Sequence, residues 1–323
     1  MAGSPEIDKA EGFYRSWMPA LEALLLPALR PRRLHWVVAT PPVRRYLSAR
    51  MGVLRRAFDG ITSSFAVPED AVVEVGEVAG VPVTRVSTPG VLPGRNVIHF
   101  HGGGYVLGSA HAYREVATRI SRAARATVVL VDFRRAPENP FPAAIEDTVR
   151  VYRQLVAEGL DPARTTFSGD SAGGGLVLSA LLTLRKAGDP LPASGVLMSP
   201  LIDFAATGGS MDRFAGTDPV VSPLVVKMMG ALYIGKADPH QERIALLDAD
   251  LAGLPPLLIQ VGSRECLLDD ATRVADCARN AGVDVTVDVV DDVPHVFQIF
   301  ASFLPQARDA IDRIGEFVSK RVR

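Results

Sequence analysis

From Val97 onward the chain alternates between short β-branched runs and longer stretches of helical periodicity, and this alternation limits the fold more than any other feature. The strand-like runs are Val97 to Phe100, Thr127 to Asp132, Thr165 to Ser168, Val196 to Met198, Pro256 to Val261 and Val283 to Val290. Helical periodicity covers Ala112 to Ala124, Ala143 to Glu158, Ala172 to Ala187, Asp269 to Ala281 and Gln306 to Val318. Strands alternating with helices predict a mostly parallel sheet with helices on both faces. Upstream, Val72 to Val75 and Val81 to Val86 flank Ala79-Gly80 and read as an antiparallel pair. The first residues, to about Phe58, are helical pieces cut by Pro19, Pro27, Pro31, Pro41 and Pro42. Phe204 to Asp250 breaks the rhythm with a helix-like stretch containing Met228, Met229, Leu232 and Tyr233. An insertion there emerges at the C-terminal edge of the strands, where it is placed to cover a pocket. The expected organisation is an α/β core of residues 59–203 and 251–323, with a helical cap from residues 1–58 and 204–250.

With 323 residues, 48% apolar and 22% charged, the chain has enough apolar surface for a large globular core. A formal net charge of −1 gives no bulk attraction to nucleic acid or to a membrane. A local exception holds Arg30, Arg32, Arg33, Arg44, Arg45, Arg50, Arg55 and Arg56 without an intervening acid, and reads as a solvated basic face. Cys266 and Cys277 are too few for a disulfide framework and lack zinc-ligand spacing. The start carries Glu6, Asp8 and Glu11 in place of a basic leader, and the apolar run from Trp17 to Leu29 is broken by Pro19, Glu22 and Pro27. The expectation is a cytoplasmic protein with no membrane span, nucleic-acid partner, metal or cofactor.

Gly169-Asp170-Ser171-Ala172-Gly173 carries the chemistry. A bare G-x-S-x-G is weak, but this one follows the β-prone Thr165 to Ser168 and precedes Leu176, Val177, Leu181 and Leu184 at helical spacing. Strand, motif and helix together describe a nucleophile elbow, a strained turn that lifts a serine hydroxyl into a pocket. Such a hydroxyl needs a base, an acid to orient the base, and donors aimed at the oxyanion formed on the attacked carbonyl. His101-Gly102-Gly103-Gly104, directly after a strand, lets the backbone approach a substrate oxygen, and Gly102, Gly103 and Ala172 are the expected donors. His295, in the loop after the last strand, is the expected base. His99 lies within a strand, His101 belongs to the glycine loop, and His35, His111 and His240 fall in solvent-facing or lid segments. Glu265, Asp269 and Asp270 follow the preceding strand. Glu265 comes first after the turn at Gly262-Ser263, whereas the aspartates read as N-terminal acids of a helix.

These segments, with Asp132 to Ala144 (DFRRAPENPFPAA), make the chain resemble the hormone-sensitive-lipase-like family of microbial serine esterases over about Val97 to Phe297. The resemblance implies an α/β-hydrolase fold. It implies Ser171, Glu265 and His295 as nucleophile, acid and base of a carboxylesterase that forms an acyl-enzyme on short- to medium-chain esters. It also implies a lid shared by the N-terminal helices and the insertion. Two departures stand out: Arg135 where the family commonly has Leu, and Asn139 where it commonly has His. The proline-rich stretch is expected to brace the glycine loop, with Asp132 and Glu138 in buried polar contacts. Expected pocket walls are Tyr105, Leu201, Phe204, Phe214, Met229, Tyr233, Val296 and Phe297. Alternatives are the same chemistry on an amide, lactone or formamide, or a non-catalytic small-molecule receptor on the same scaffold; the presence of all three triad residue types weighs against the receptor. The run Val283 to Val290 is also a possible edge for pairing with a second copy.

Overall fold

A computed structural model describes residues 4–25, 41–63 and 65–322. Arg30, Arg32, Arg33 and His35 lie outside the described residues, as do the side chains of Arg44, Arg45 and Arg50. An eight-stranded sheet runs in the order β1-β2-β4-β3-β5-β6-β7-β8. Its strands are β1 (Val72–Val78), β2 (Val81–Ser87), β3 (Asn96–Phe100), β4 (Thr127–Val131), β5 (Thr165–Asp170), β6 (Ser194–Met198), β7 (Leu257–Gly262) and β8 (Val285–Val290). β1 pairs with β2 and β2 with β4 antiparallel, and every other pairing is parallel. The long helices are α1 (Pro5–Leu25), α2 (Pro41–Thr62), α3 (Arg114–Ala124), α4 (Ala143–Ala157), α5 (Ala172–Ala187), α8 (Leu268–Asn280) and α9 (Pro305–Arg321), and the insertion holds α6 (Gly209–Phe214) and α7 (Pro223–Ile234).

The strand period of two decides which helices cover which face. On one face Val97, Val128, Leu130, Val196 and Met198 pack with Val116 and Ile120 of α3 and Ile311 and Ile314 of α9. On the other, Ile98, Phe100, Val129, Val131 and Leu197 pack with Ile145 and Val149 of α4, Leu176 of α5 and Val274 of α8. Burial on both faces is why the parallel strands read as continuous apolar runs. A third cluster joins Met51 and Leu54 of α2 to Met228, Met229 and Leu232 of α7 and to Val106, Leu107 and Ala136. Both expected cap segments therefore meet over the loop that follows β3.

The N-terminal segment also reaches deeper than a cap. Ile7, Ala10 and Tyr14 of α1 belong to the core on the α3–α9 face. Helix α2 continues through Thr62, past the expected boundary at Phe58. Among the described residues no helix is long and apolar enough to cross a membrane.

Gly315 shows how tightly α9 sits on α3: a Cβ there would lie 2.3 Å from the Ala123 carbonyl oxygen. Alanine should gain about 1 kcal/mol of helix propensity over glycine, but overpacking costs about 1–3 kcal/mol and a backbone oxygen cannot rotate away. Gly315→Ala is expected to lower the melting temperature measured by circular dichroism; an unchanged or higher value would show that the two helices separate freely.

Candidate active site

Ser171 joins β5 to α5 at φ 50°, ψ −118°, a conformation that non-glycine residues adopt only under strain. Its N–H donates to the Met198 carbonyl at 2.8 Å, and its own carbonyl accepts from Leu201 at 2.9 Å and Gly174 at 3.0 Å. The flanking glycines are required by close approach. A Cβ at Gly169 would lie 2.3 Å from the Gly173 carbonyl oxygen, and one at Gly173 would lie 1.9 Å from that of Phe100.

Glu265 and His295 come from the loops after β7 and β8. His295 Nδ1 lies 2.8 Å from Glu265 Oε2. The other carboxylate oxygen accepts from Ser199 Oγ at 2.7 Å and from the Gly262 N–H at 2.6 Å. Ser199 Oγ in turn accepts from the N–H of Val296, a β-branched residue held at φ 49° directly after the histidine. The histidine carbonyl accepts from the Tyr14 hydroxyl of α1 at 2.6 Å. Burial works to lower the His295 pKa, but the hydrogen bond and charge of Glu265, assisted by Asp218 and Asp170, outweigh it and hold the value above its usual one. Burial pushes the Glu265 carboxyl up, against the pull of His295 and Ser199.

The two competing acids are engaged elsewhere. Asp269 accepts the Ser210 N–H at 3.0 Å. Asp270 accepts the Ile202 and Asp203 N–H groups, each at 2.8 Å. Both stand in the first turn of α8 as expected, and burial raises the Asp270 pKa to about 7.

The glycine loop differs from the expectation at Gly102. Its N–H is taken up by Asp170 Oδ1 at 3.0 Å and Tyr113 Oη at 3.1 Å, and that hydroxyl donates to Asp170 Oδ2 at 2.7 Å. Gly103 and Gly104 instead line the cavity with Ser171. Both carry positive φ, 109° and 62°, the left-handed region open to glycine. Ala172 is the first residue of α5, whose N-terminal dipole end stands beside Ser171. His99 is buried in its strand with Nδ1 3.2 Å from Ser168 Oγ. His101 stacks on Phe133 with ring centroids 4.3 Å apart. Arg135 donates to the Gly108 carbonyl, so the departure from leucine braces the far end of this loop. Asp132 is half-buried, near His101 and Arg135. Glu138, expected in a buried contact, is exposed and pairs with Arg55 of α2 at 2.7 Å.

Ser171, His295 and Asp170 open on one cavity whose lining is predominantly apolar, with a few convergent polar groups, as in small-molecule sites. Leu201, Met229 and Val296 line it as expected. Tyr105, Phe204 and Tyr233 do not; they form an aromatic stack behind the wall, with Tyr105 and Tyr233 centroids 3.8 Å apart. Phe214 packs against the main core, and Phe297 is fully buried in the core under α1. Walls not expected from the sequence come from Tyr14 of α1, Phe58 and Thr62 of α2, Val220, Val221, Val225 and Val226 of the insertion, and Ile299. Two signals were present: the i, i+4 pair Phe58 and Thr62, and the valine-rich entry to α7.

A protein family described as alpha/beta hydrolase fold matches residues 97–299. An acetyl-hydrolase of Streptomyces hygroscopicus is 39% identical over 267 residues, 82% of this chain and 88% of that protein. An esterase of Acinetobacter venetianus is 35% identical over 225 residues, 69% of this chain and 74% of its own length. The crystal structure of an esterase from the bacterial hormone-sensitive lipase family matches with a TM-score of 0.86 at 43% identity, over 100% of both chains. On fold, site geometry and similarity together, this chain belongs to the α/β-hydrolase fold family, among its hormone-sensitive-lipase-like esterases.

Proposed function

We propose that the protein is a serine carboxylesterase acting on short- to medium-chain acyl esters through a covalent acyl-enzyme. The observation that carries this reading is the convergence of a strained serine and a buried, carboxylate-oriented histidine on one apolar cavity. His295 takes the Ser171 proton as the oxygen attacks the ester carbonyl. The oxyanion is held by the N–H groups of Gly103, Gly104 and Ala172. The C–O bond to the alcohol then breaks, and His295 returns the proton to the leaving oxygen. Water, deprotonated by His295, repeats the sequence on the acyl-enzyme and releases the acid. The relatives named acetyl-hydrolase and esterase support a small acyl group. Residues 1–58 and 204–250 act as a two-part cap, in keeping with Phe58 and Met229 on the cavity wall. The edge strand β8, whose Val289 is exposed, supports pairing with a second copy in solution.

Ser171→Ala is expected to lower kcat on a p-nitrophenyl ester by roughly a million-fold; retention of most turnover would overturn the assignment. His295 acts only when neutral, and its pKa is held above its usual value. Activity should therefore fall on acidification with an apparent pKa in kcat/KM above that of free histidine. Glu265→Gln removes the largest opposition to burial, so that limb should move to lower pH while kcat drops by roughly 10^3–10^4-fold. A limb that stays in place would show that Glu265 does not set the charge of His295. Sedimentation velocity at micromolar concentration should show a dimer that Val289→Asp dissociates, and a wild-type monomer would dismiss pairing through β8.

A further inference from the structure

Arg55 makes contacts that the catalytic steps do not use. It lies half-buried on α2, and its guanidinium joins three segments. Nε donates to the Val106 carbonyl at 2.7 Å, and Nη2 donates to the Ala136 carbonyl at 2.7 Å. Nη2 and Nη1 also reach the two Glu138 oxygens, at 2.7 and 3.1 Å. Only a planar fork can satisfy acceptors in this arrangement, and charge-assisted bonds to carbonyls outlast the screening that weakens an exposed ion pair.

Val106 is part of the oxyanion turn. Its N–H and that of Leu107 donate to the Gly103 carbonyl at 3.1 and 2.8 Å, so fixing Val106 fixes the peptides of Gly103 and Gly104. Ala136, the second acceptor, donates its own N–H to Tyr105 in the same turn at 2.9 Å. On α2, Phe58 and Thr62 follow Arg55 by one and two turns on the same face, and both line the cavity. Apolar contact between α2 and this loop is non-directional and permits sliding; the guanidinium bonds are directional and do not.

We propose that Arg55 is a positioning and specificity-determining residue. By locking α2 to the glycine loop it sets the geometry of the oxyanion donors and, through Phe58 and Thr62, the length of acyl chain the cavity accepts. The inference rests on the serine-esterase reading. Releasing the lock loosens the donors and lets the Phe58–Thr62 face withdraw, which favours longer chains.

The test compares kcat and KM on p-nitrophenyl acetate and octanoate for the wild type, Arg55→Met, Arg55→Lys and Glu138→Gln, each normalised to active sites counted by the pre-steady-state burst. In Arg55→Met, kcat per site is expected to fall about tenfold, and the octanoate-to-acetate ratio of kcat/KM to rise about fivefold. Arg55→Lys, a point donor that cannot serve both carbonyls and Glu138, should shift the ratio by an intermediate amount, and Glu138→Gln by less. A variant that loses active sites while the survivors keep wild-type kcat and ratio overturns the proposal, since Arg55 would then serve folding alone. If Arg55→Met does not fold, an unchanged ratio in Arg55→Lys has the same meaning. Wild-type protein without ester turnover would overturn the esterase reading and this inference with it, whereas wild-type turnover with unchanged variant ratios would overturn the role of Arg55 alone.

Discussion

The site depends on one backbone contact, the approach of Gly173 in the first turn of α5 to the end of β3. A side chain at 173 would place its Cβ 1.9 Å from the Phe100 carbonyl oxygen. The approach follows from strand order, because β3 and β5 are direct neighbours with Phe100 opposite Gly169. Two loops that leave adjacent parallel strands at the same end must lie side by side. One carries Ser171 and the other carries the glycine run. The strain at the serine is sustained because its N–H and carbonyl are both fixed by Met198, Leu201 and Gly174.

Buried carboxylates organise the remainder. Burying an acid is costly unless its oxygens are hydrogen-bonded, so each one dictates where its donors stand. Asp170, directly before Ser171, gathers Gly102 and Tyr113 and so fixes the root of the glycine loop. Glu265 gathers Ser199, Gly262 and His295. Asp270 gathers the N–H groups of Ile202 and Asp203, next to the wall residue Leu201. The catalytic loops are thus held by a few internal acids more than by their own sequence preferences.

The strands and helices of the core were legible to within a few residues, because parallel strands buried on both faces have an unmistakable apolar pattern between helical periods. The juxtaposition of Glu265 and His295, and the place of Ser171 and His295 on one cavity, were legible because all three follow strand ends, where chain order and turn position leave few candidates. The partners of Gly102 were not legible for a local reason: sequence does not say which N–H of a glycine run is already engaged, and here the carboxylate of Asp170 accepts from the first. The walls were least legible. Large aromatics were expected, yet Tyr105, Phe204 and Tyr233 stack on one another behind the surface. Hydropathy cannot separate a residue that lines a cavity from one packed just behind it, since both are apolar. Nor does periodicity in α1 or α2 reveal that Tyr14, Phe58 and Thr62 arrive at a pocket built by residues far along the chain.

The hydrogen bond between Tyr14 and the His295 carbonyl spans 281 residues of sequence. Closing so long a loop is entropically costly, and contacts of this separation form late in folding. During synthesis α1 emerges well before the turn at Phe297–Phe300, where Tyr14 packs edge-on against Phe300 at 5.2 Å. The growing chain therefore carries the strained turn at Ser171 long before the loop of His295 is in place. Completion of the candidate site therefore coincides with the docking of α1 on the loop that carries His295, so two segments 281 residues apart must meet before the cavity is closed.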